Sequence, residues 1–369
     1  MTIASLSRRR LLQGAGLAAL ASTLPGTRAF AKDTTVGFIY VGSRDDYGYN
    51  QAHAVGAAAL KKMSGIKVVE EEKVPETDAV EKTMESMINL DGASLLFPTS
   101  FGYYSPHMIK MAKKYPKLRF EHCGGLWTDK DPKNAGSYFG YIDEAQYIAG
   151  IVAGYSTKSG KLGFVAAKPI PQVLRNINAY LLGARLANPT ATLQVIFTGD
   201  WSMPVKEAES TNSLIDQGCD VLTCHVDGPK TVMENAARRG AMVSGYHVSA
   251  APLVPKAYLT GAEWNWEALY PKFVKMFTSG ESIPNFYRGG LKEGLVKVSP
   301  YGSMVSEKAR KHADDVKAKL MAGGYAIFKG PIKDNKGGVV IASGVSRGQT
   351  DPELEKMNYL VEGVIGATS

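Results

Sequence analysis

The chain has 369 residues and 43 Lys and Arg against 35 Asp and Glu, a formal charge of +8. Four of those Arg lie in the first 31 residues, which hold no acid, so the remaining 338 residues carry 39 bases against 35 acids. That balance gives no reason to invoke nucleic acid, and 338 residues are more than one core usually spans, so two domains are expected. Three cysteines, Cys123, Cys219 and Cys224, leave at least one thiol unpaired.

The N-terminus reads as an export signal. Ser7-Arg8-Arg9-Arg10-Leu11-Leu12 is a twin-arginine pattern, followed by a mild apolar stretch to Leu24 and a small-x-small site at Ala29-Phe30-Ala31. A leader over residues 1–31 and a mature start at Lys32 are expected, and with them a periplasmic location. The apolar stretch is too short and weak to span a bilayer.

The body alternates apolar strands with helices. Val36 to Val41 is a continuous apolar run, as in a strand buried on both faces. A polar loop, Ser43 to Tyr49, precedes a helix from Asn50 to Met63. Strands are expected at Lys67–Val69, Ala93–Pro98, Leu118–Glu121 and Ser137–Gly140. Helices are expected at Asp78–Leu90, Ser105–Lys114 and Glu144–Ser156. The beat restarts at Lys161. Strands at Leu162–Val165, Leu193–Phe197, Val221–Cys224 and Met242–Tyr246 alternate with helices at Gln172–Ala187, Pro204–Gln217 and Lys230–Arg239. Two such blocks predict an α/β protein of two doubly wound parallel-sheet lobes.

Ligands of open parallel sheets sit outside the carboxyl ends of the strands. The loops there include Ser43–Asn50, Thr99–Ser105, His122–Trp127, Tyr141–Asp143, Asp200-Trp201, His225-Val226-Asp227 and Tyr246-His247. They are rich in aromatics, Asn, Asp and His, which suits flat rings but also the apolar faces of sugars. Asp46 either caps the helix that follows or binds a ligand amine. Cys219-x4-Cys224-His225 is not a standard zinc spacing, so buried cysteines are expected and no metal. No dinucleotide-binding or phosphate loop is present. The six His are scattered, and no hydrolase-type nucleophile is expected, so the chain reads as a binding protein and not an enzyme.

Several segments together resemble the basic membrane protein (Bmp/Med-type) family of ABC-transporter solute-binding proteins, which includes purine nucleoside receptors. They are Val36-Gly37-Phe38-Ile39, Asp46 to His53, Phe101-Gly102-Tyr103, Ala112 to Pro116, Phe120-Glu121-His122 and Tyr147-Ile148-Ala149-Gly150. Later come Gly199-Asp200-Trp201, Gly218 to Val221, Gly245-Tyr246-His247, Phe328 to Ile332 and Gly363 to Gly366. The resemblance covers nearly all of the chain after the leader. It implies a type I periplasmic binding protein fold, with lobes over about 33–152 plus 266–290 and 153–265 plus 291–369. It also implies a purine-like small-molecule ligand, an inner-membrane ABC permease as partner, a monomer and no cofactor.

On the same resemblance Asn50 and Asp143 would read the base. Trp201 would stack on it from the second lobe and Phe101 or Tyr103 from the first, with Asp46, Asp227, His247 and Trp264 completing the site. Nucleoside-binding relatives carry Gly-Val-Asp-x-Asp where this chain has Gly245-Tyr246-His247-Val248-Ser249. They also place a Lys where this chain has Trp264. Both partners of a ribose are missing, which favours a free base such as adenine over a nucleoside. The alternatives are a nucleoside, a flavin-like heterocycle, or a periplasmic sensor or enzyme on the same frame.

Overall fold

The computed structural model describes residues 33–368; the twin-arginine run, the cleavage site and Lys32 lie outside the described residues. The first block consists of β1 (Thr34–Ile39), α1 (Tyr49–Leu60), β2 (Ile66–Glu71), α2 (Ala79–Asn89), β3 (Ala93–Pro98), α3 (Ile109–Lys114), β4 (Arg119–Cys123) and β5 (Ala135–Gly140). The chain then crosses through α4 (Asp143–Ser156) to a second block. That block holds β6 (Lys161–Ala166), α5 (Pro171–Ala187), β7 (Thr192–Phe197), α6 (Pro204–Asp216), β8 (Val221–His225), α7 (Lys230–Arg238), β9 (Met242–His247) and β10 (Tyr258–Trp264).

Helix α8 (Trp266–Ser279) returns the chain to β11 (Phe286–Gly289), and β12 (Val296–Val298) carries it back again before α9 (Glu307–Ala322). Short strands close the chain: β13 (Phe328–Lys329), β14 (Ile332–Lys333), β15 (Val339–Ile341), β16 (Ser346–Arg347) and β17 (Val364–Ile365). Strands β13 and β16 pair antiparallel, as do β14 and β15.

One sheet has the order β11-β5-β4-β3-β1-β2, with every pair parallel. The other runs β12-β10-β9-β8-β6-β7-β17, parallel except at β10–β12. The apolar run that became β1 lies between β2 and β3 and is buried from Thr35 to Ile39, as a two-faced strand must be. Helices α4 and α5 approach backbone to backbone: a Cβ at Gly150 would fall on Tyr180 O, and one at Gly183 on Tyr147 O. All three expected cysteines are buried and free, and the Cys219 thiol donates to Leu162 O at 3.3 Å.

One expected helix comes out differently. Residues 105–114 form a continuous α-helix only from Ile109; Phe101–Tyr103 is a 3₁₀ turn and Tyr104–Met108 a π-type turn. Pro106 forces the preceding Ser105 into extended backbone, φ −125° and ψ 128°, which breaks the helix at that point.

Candidate functional site

A cavity between the two sheets is lined only by residues at or just beyond strand carboxyl ends. Tyr49, Ser100, Phe101, Cys123 and Phe139 come from the first lobe; Gln172, Trp201, His225, Asp227, His247 and Trp264 come from the second. This is where a doubly wound sheet leaves backbone groups free to meet a ligand. The room left for the centre of a water-sized sphere is about 30 Å³, so the lobes are drawn close over the site. A larger concavity, about 920 Å³ by the same measure, lies at the opposite end of the second sheet beside Asp220, Met242 and Leu253. It holds none of the expected site residues and faces the amino ends of the strands.

The walls are aromatic. Phe101 and Trp201 face each other across the cleft with centroids 6.5 Å apart at 62°. The Lys168 ammonium sits 5.1 Å from the Trp201 ring centroid. Glu76 accepts from Ser100 Oγ (2.6 Å) and Gly102 N (2.7 Å), which fixes the loop that presents Phe101. On the deeper side Trp264 lies 6.1 Å from the His247 ring at 25° and 5.3 Å from Phe139.

The two site histidines are neutral and oriented. Trp264 Nε1 donates to His247 Nδ1 at 2.7 Å, so the His247 proton is on Nε2, which donates to Val226 O at 3.1 Å. Burial holds His247 well below the usual range. Its φ of +69° is left-handed backbone on a non-glycine residue, a conformation found at sites the surrounding structure over-determines. Asn176 Nδ2 donates to His225 Nδ1 at 2.9 Å, and burial lowers His225 to about 3. Both imidazoles therefore offer rings and fixed dipoles, not charge.

Asp227 is the one carboxylate among the described residues that lines the cavity. It is 8% exposed, its N–H donates to Trp201 O at 2.8 Å, and its carbonyl accepts from Tyr49 N at 2.8 Å. Its carboxylate has no hydrogen-bond donor and no cation among the described residues, yet it lines the cavity. Burial, then the charges of Asp46, Glu76, Glu207 and Asp200, raise it well above the ordinary range. An acceptor that reaches only a small cavity is costly unless water or a ligand there supplies a donor.

Five expected residues therefore meet at the cavity: Phe101, Trp201, Asp227, His247 and Trp264. Four do not line it. Asp46 turns back on α1, accepting from the N–H groups of Gly48 (2.8 Å), Asn50 (3.0 Å) and Gln51 (3.0 Å). Asn50 is fully buried, with Oδ1 accepting from Gly42 N (3.2 Å) and Nδ2 donating to Asp46 (2.7 Å). Tyr103 is buried in the first lobe's core, its hydroxyl donating to Val74 O, so of the pair Phe101 and Tyr103 only Phe101 lines the cavity. Asp143 lies in an adjoining small cavity that shares Phe139 and Gln172. There Arg175 Nε (3.0 Å) and Gln349 Nε2 (3.1 Å) occupy it. All four were expected at the site; here their polar atoms are engaged by backbone groups or by other side chains.

Six lining residues were not nominated from sequence. Tyr49, Ser100, Cys123 and His225 fall inside the loops already singled out, so their position was legible though their role was not. Phe139 and Gln172 lie outside those loops and carried no such signal.

Among the described residues no cluster of three or more His, Cys, Asp or Glu has the arrangement of a metal site. Gly344-Val345-Ser346-Arg347-Gly348 has the spacing of a nucleophile elbow. Ser346, however, is exposed on β16, paired antiparallel with β13, not on a strand-to-helix turn.

The chain matches the family model described as Bmp, ABC transporter substrate-binding protein PnrA-like, over residues 33–329. It is 32% identical to a purine-binding protein of Brucella abortus over 94% of this chain and 98% of that one. It is also 32% identical to a putative ABC transporter glucose-binding protein of Haloferax volcanii, over 89% of this chain and 80% of that one. An ABC-transporter solute-binding protein of Aeropyrum pernix superposes with a TM-score of 0.67 at 21% identity, covering 82% of this chain and 93% of that one, which shows a shared type I periplasmic binding fold. With the family model spanning most of the chain and the two relatives covered over 98% and 80% of their lengths, the protein belongs to the Bmp family of ABC-transporter solute-binding proteins, and a small-molecule ligand and a permease partner follow from that membership.

Proposed function

We propose that the protein is the exported receptor of an ABC importer for a purine-like heterocycle, with a free base such as adenine preferred. The observation that carries this reading is Asp227, a buried carboxylate without a protein donor, set among aromatic walls. A flat nitrogen heterocycle meets both requirements at once. One face stacks on Trp201 while Phe101 meets the ring edge-on, and a ring N–H or exocyclic amine supplies the missing donor. The ligand named for the Brucella relative agrees with this chemistry.

The preference for a base over a nucleoside has a separate support. Trp264 Nε1 is spent on His247 Nδ1, and His247 Nε2 on Val226 O, so neither ring keeps a free nitrogen for ribose hydroxyls. The Haloferax relative, equally identical, carries a sugar in its name, and that makes glucose the necessary control. Export by the twin-arginine route to the periplasm completes the proposal, resting on Arg8 and Arg9 in the leader.

Calorimetry on the mature protein with adenine, adenosine and glucose tests the ligand. Adenine is expected to bind most tightly and glucose not at all. Tighter binding of adenosine would overturn the base preference, and binding of glucose alone would overturn the heterocycle. Precursor that still reaches the periplasm after Arg8 and Arg9 are both changed to Lys would remove the export claim.

A further inference from the structure

The N-terminus of α1 is completed by the other lobe. Four N–H groups open a helix without partners inside it. Here the Asp46 carboxylate takes those of Gly48, Asn50 and Gln51. The Tyr49 N–H goes instead to the Asp227 carbonyl, across the cleft, at 2.8 Å. The same residue thus faces two ways: its carbonyl toward α1 and its carboxylate toward the cavity.

The approach needs a glycine at position 48. A Cβ there would collide with the Asp227 carbonyl oxygen and would lie 2.5 Å from Pro229 Cδ. The seam is tight on the other side too, where a Cβ on Gly228 would stand 3.3 Å from Asp46 O. Beside it the Lys230 ammonium lies 4.9 Å from the centroid of Tyr47, a second contact between the same two loops.

We propose that Gly48 is the positioning residue for lobe closure, and that the Tyr49–Asp227 backbone bond links closure to ligand capture. When the lobes part, Tyr49 loses its acceptor and Asp227 loses its register with the cavity. When they close over a ligand that satisfies the carboxylate, the cap of α1 is completed by the same residue. Gly48 touches no ligand; it acts by letting Asp227 arrive. The inference rests on the ligand reading above only in using adenine as its probe.

The test is Gly48→Ala in the full mature protein, which keeps every lining side chain. Adenine affinity is expected to fall by at least about tenfold, because the binding-competent closed state is depleted. The loss should lie mainly in faster dissociation. Small-angle scattering should show the adenine-induced compaction of the wild type and none in the variant, with equal thermal midpoints for the two ligand-free proteins. A variant that binds and compacts as the wild type does would overturn the inference.

Gly228→Val obstructs the same seam from the second lobe, through a loop, and is expected to weaken adenine binding in the same direction. Unchanged binding there counts against the proposal even if Gly48→Ala fails to fold. If the wild type binds no adenine, the ligand reading falls. Hydrogen exchange of the peptide spanning residues 43–52, read in the presence of saturating adenosine or glucose, whichever the wild type binds, then decides this inference. Exchange should be faster in Gly228→Val than in the wild type, and equal rates would overturn it.

Discussion

The loops after β1 and β8 meet across the cleft, and each carries an aspartate just beyond its strand. Asp46 spends both carboxylate oxygens on the first turn of α1. Asp227 is followed by Pro229 and by α7, yet its side chain caps nothing and is left buried at the cavity wall. The two residues have the same chemistry and both lie in ligand-side loops, and they differ in whether a nearby helix terminus claims them. An acidic residue in a ligand-side loop is therefore a binding candidate only after the local N–H groups have been counted.

The largest expected effect is at Asp227. Asp227→Asn should lower adenine affinity by about 10- to 100-fold, the loss of a charge-assisted hydrogen bond worth about 1.5–3 kcal/mol. The ligand-free protein should gain stability from the same change, but only at neutral and higher pH. The folded-state value of Asp227 is raised, so the unfolded chain ionises first as pH rises. Stability is then lost from about pH 4 upward until the folded group also ionises. Asparagine removes that loss. Calorimetric midpoints at pH 4 and pH 8 check it: the variant should gain at pH 8 and match the wild type at pH 4. A fall at pH 8 would mean Asp227 has a structural role like that of Asp46, and the contrast would collapse.

Trp201→Ala comes next. Removing one stacking face should weaken binding roughly tenfold or more, from about 1–3 kcal/mol per stacked ring. Trp201 is half-buried at the mouth, so circular dichroism and the thermal midpoint should stay near those of the wild type.

Asp46→Ala sharpens the comparison from the other side. It removes the acceptor for three α1 N–H groups and should cost about 1–2 kcal/mol of stability by denaturant titration. Large loss of adenine binding without loss of stability would make Asp46 a ligand residue after all. The smallest effect is expected at Tyr103→Phe, which strips the partner from a buried carbonyl at Val74. About 1 kcal/mol of stability should go, with adenine affinity unchanged by titration calorimetry.

The alternation of strands and helices as far as His247 was legible because each element keeps one period and ends at a polar or glycine-rich loop. Helix α8 was harder to see, with Pro271 in its interior. The strands from β13 onward are two or three residues long, too short for any period to show. The position of Phe101 and Trp201 at the cavity was legible because large rings in polar loops have few structural uses. That of Asp143 was not, since what neutralises it is Arg175 on α5 and Gln349, 206 residues further along the chain. Asn50 lies off the cavity for a local reason: its amide is fixed between Gly42 and Asp46.

Strand order β2-β1-β3-β4-β5 in one sheet recurs as β7-β6-β8-β9-β10 in the other. The two halves thus repeat one strand order, with the cleft between their sheets. Cavity residues fall at matching stations: Tyr49 after β1 answers Gln172 after β6, and Phe101 after β3 answers Asp227 after β8. Cys123, which ends β4, answers His247, which ends β9, and Phe139, near the end of β5, answers Trp264 at the end of β10. A symmetric frame furnished in this way recognises by its asymmetries: a ring opposite a carboxylate, a thiol opposite an imidazole. Selectivity then resides in the divergence between the two halves, and each station supplies its opposite number as a built-in control for any substitution.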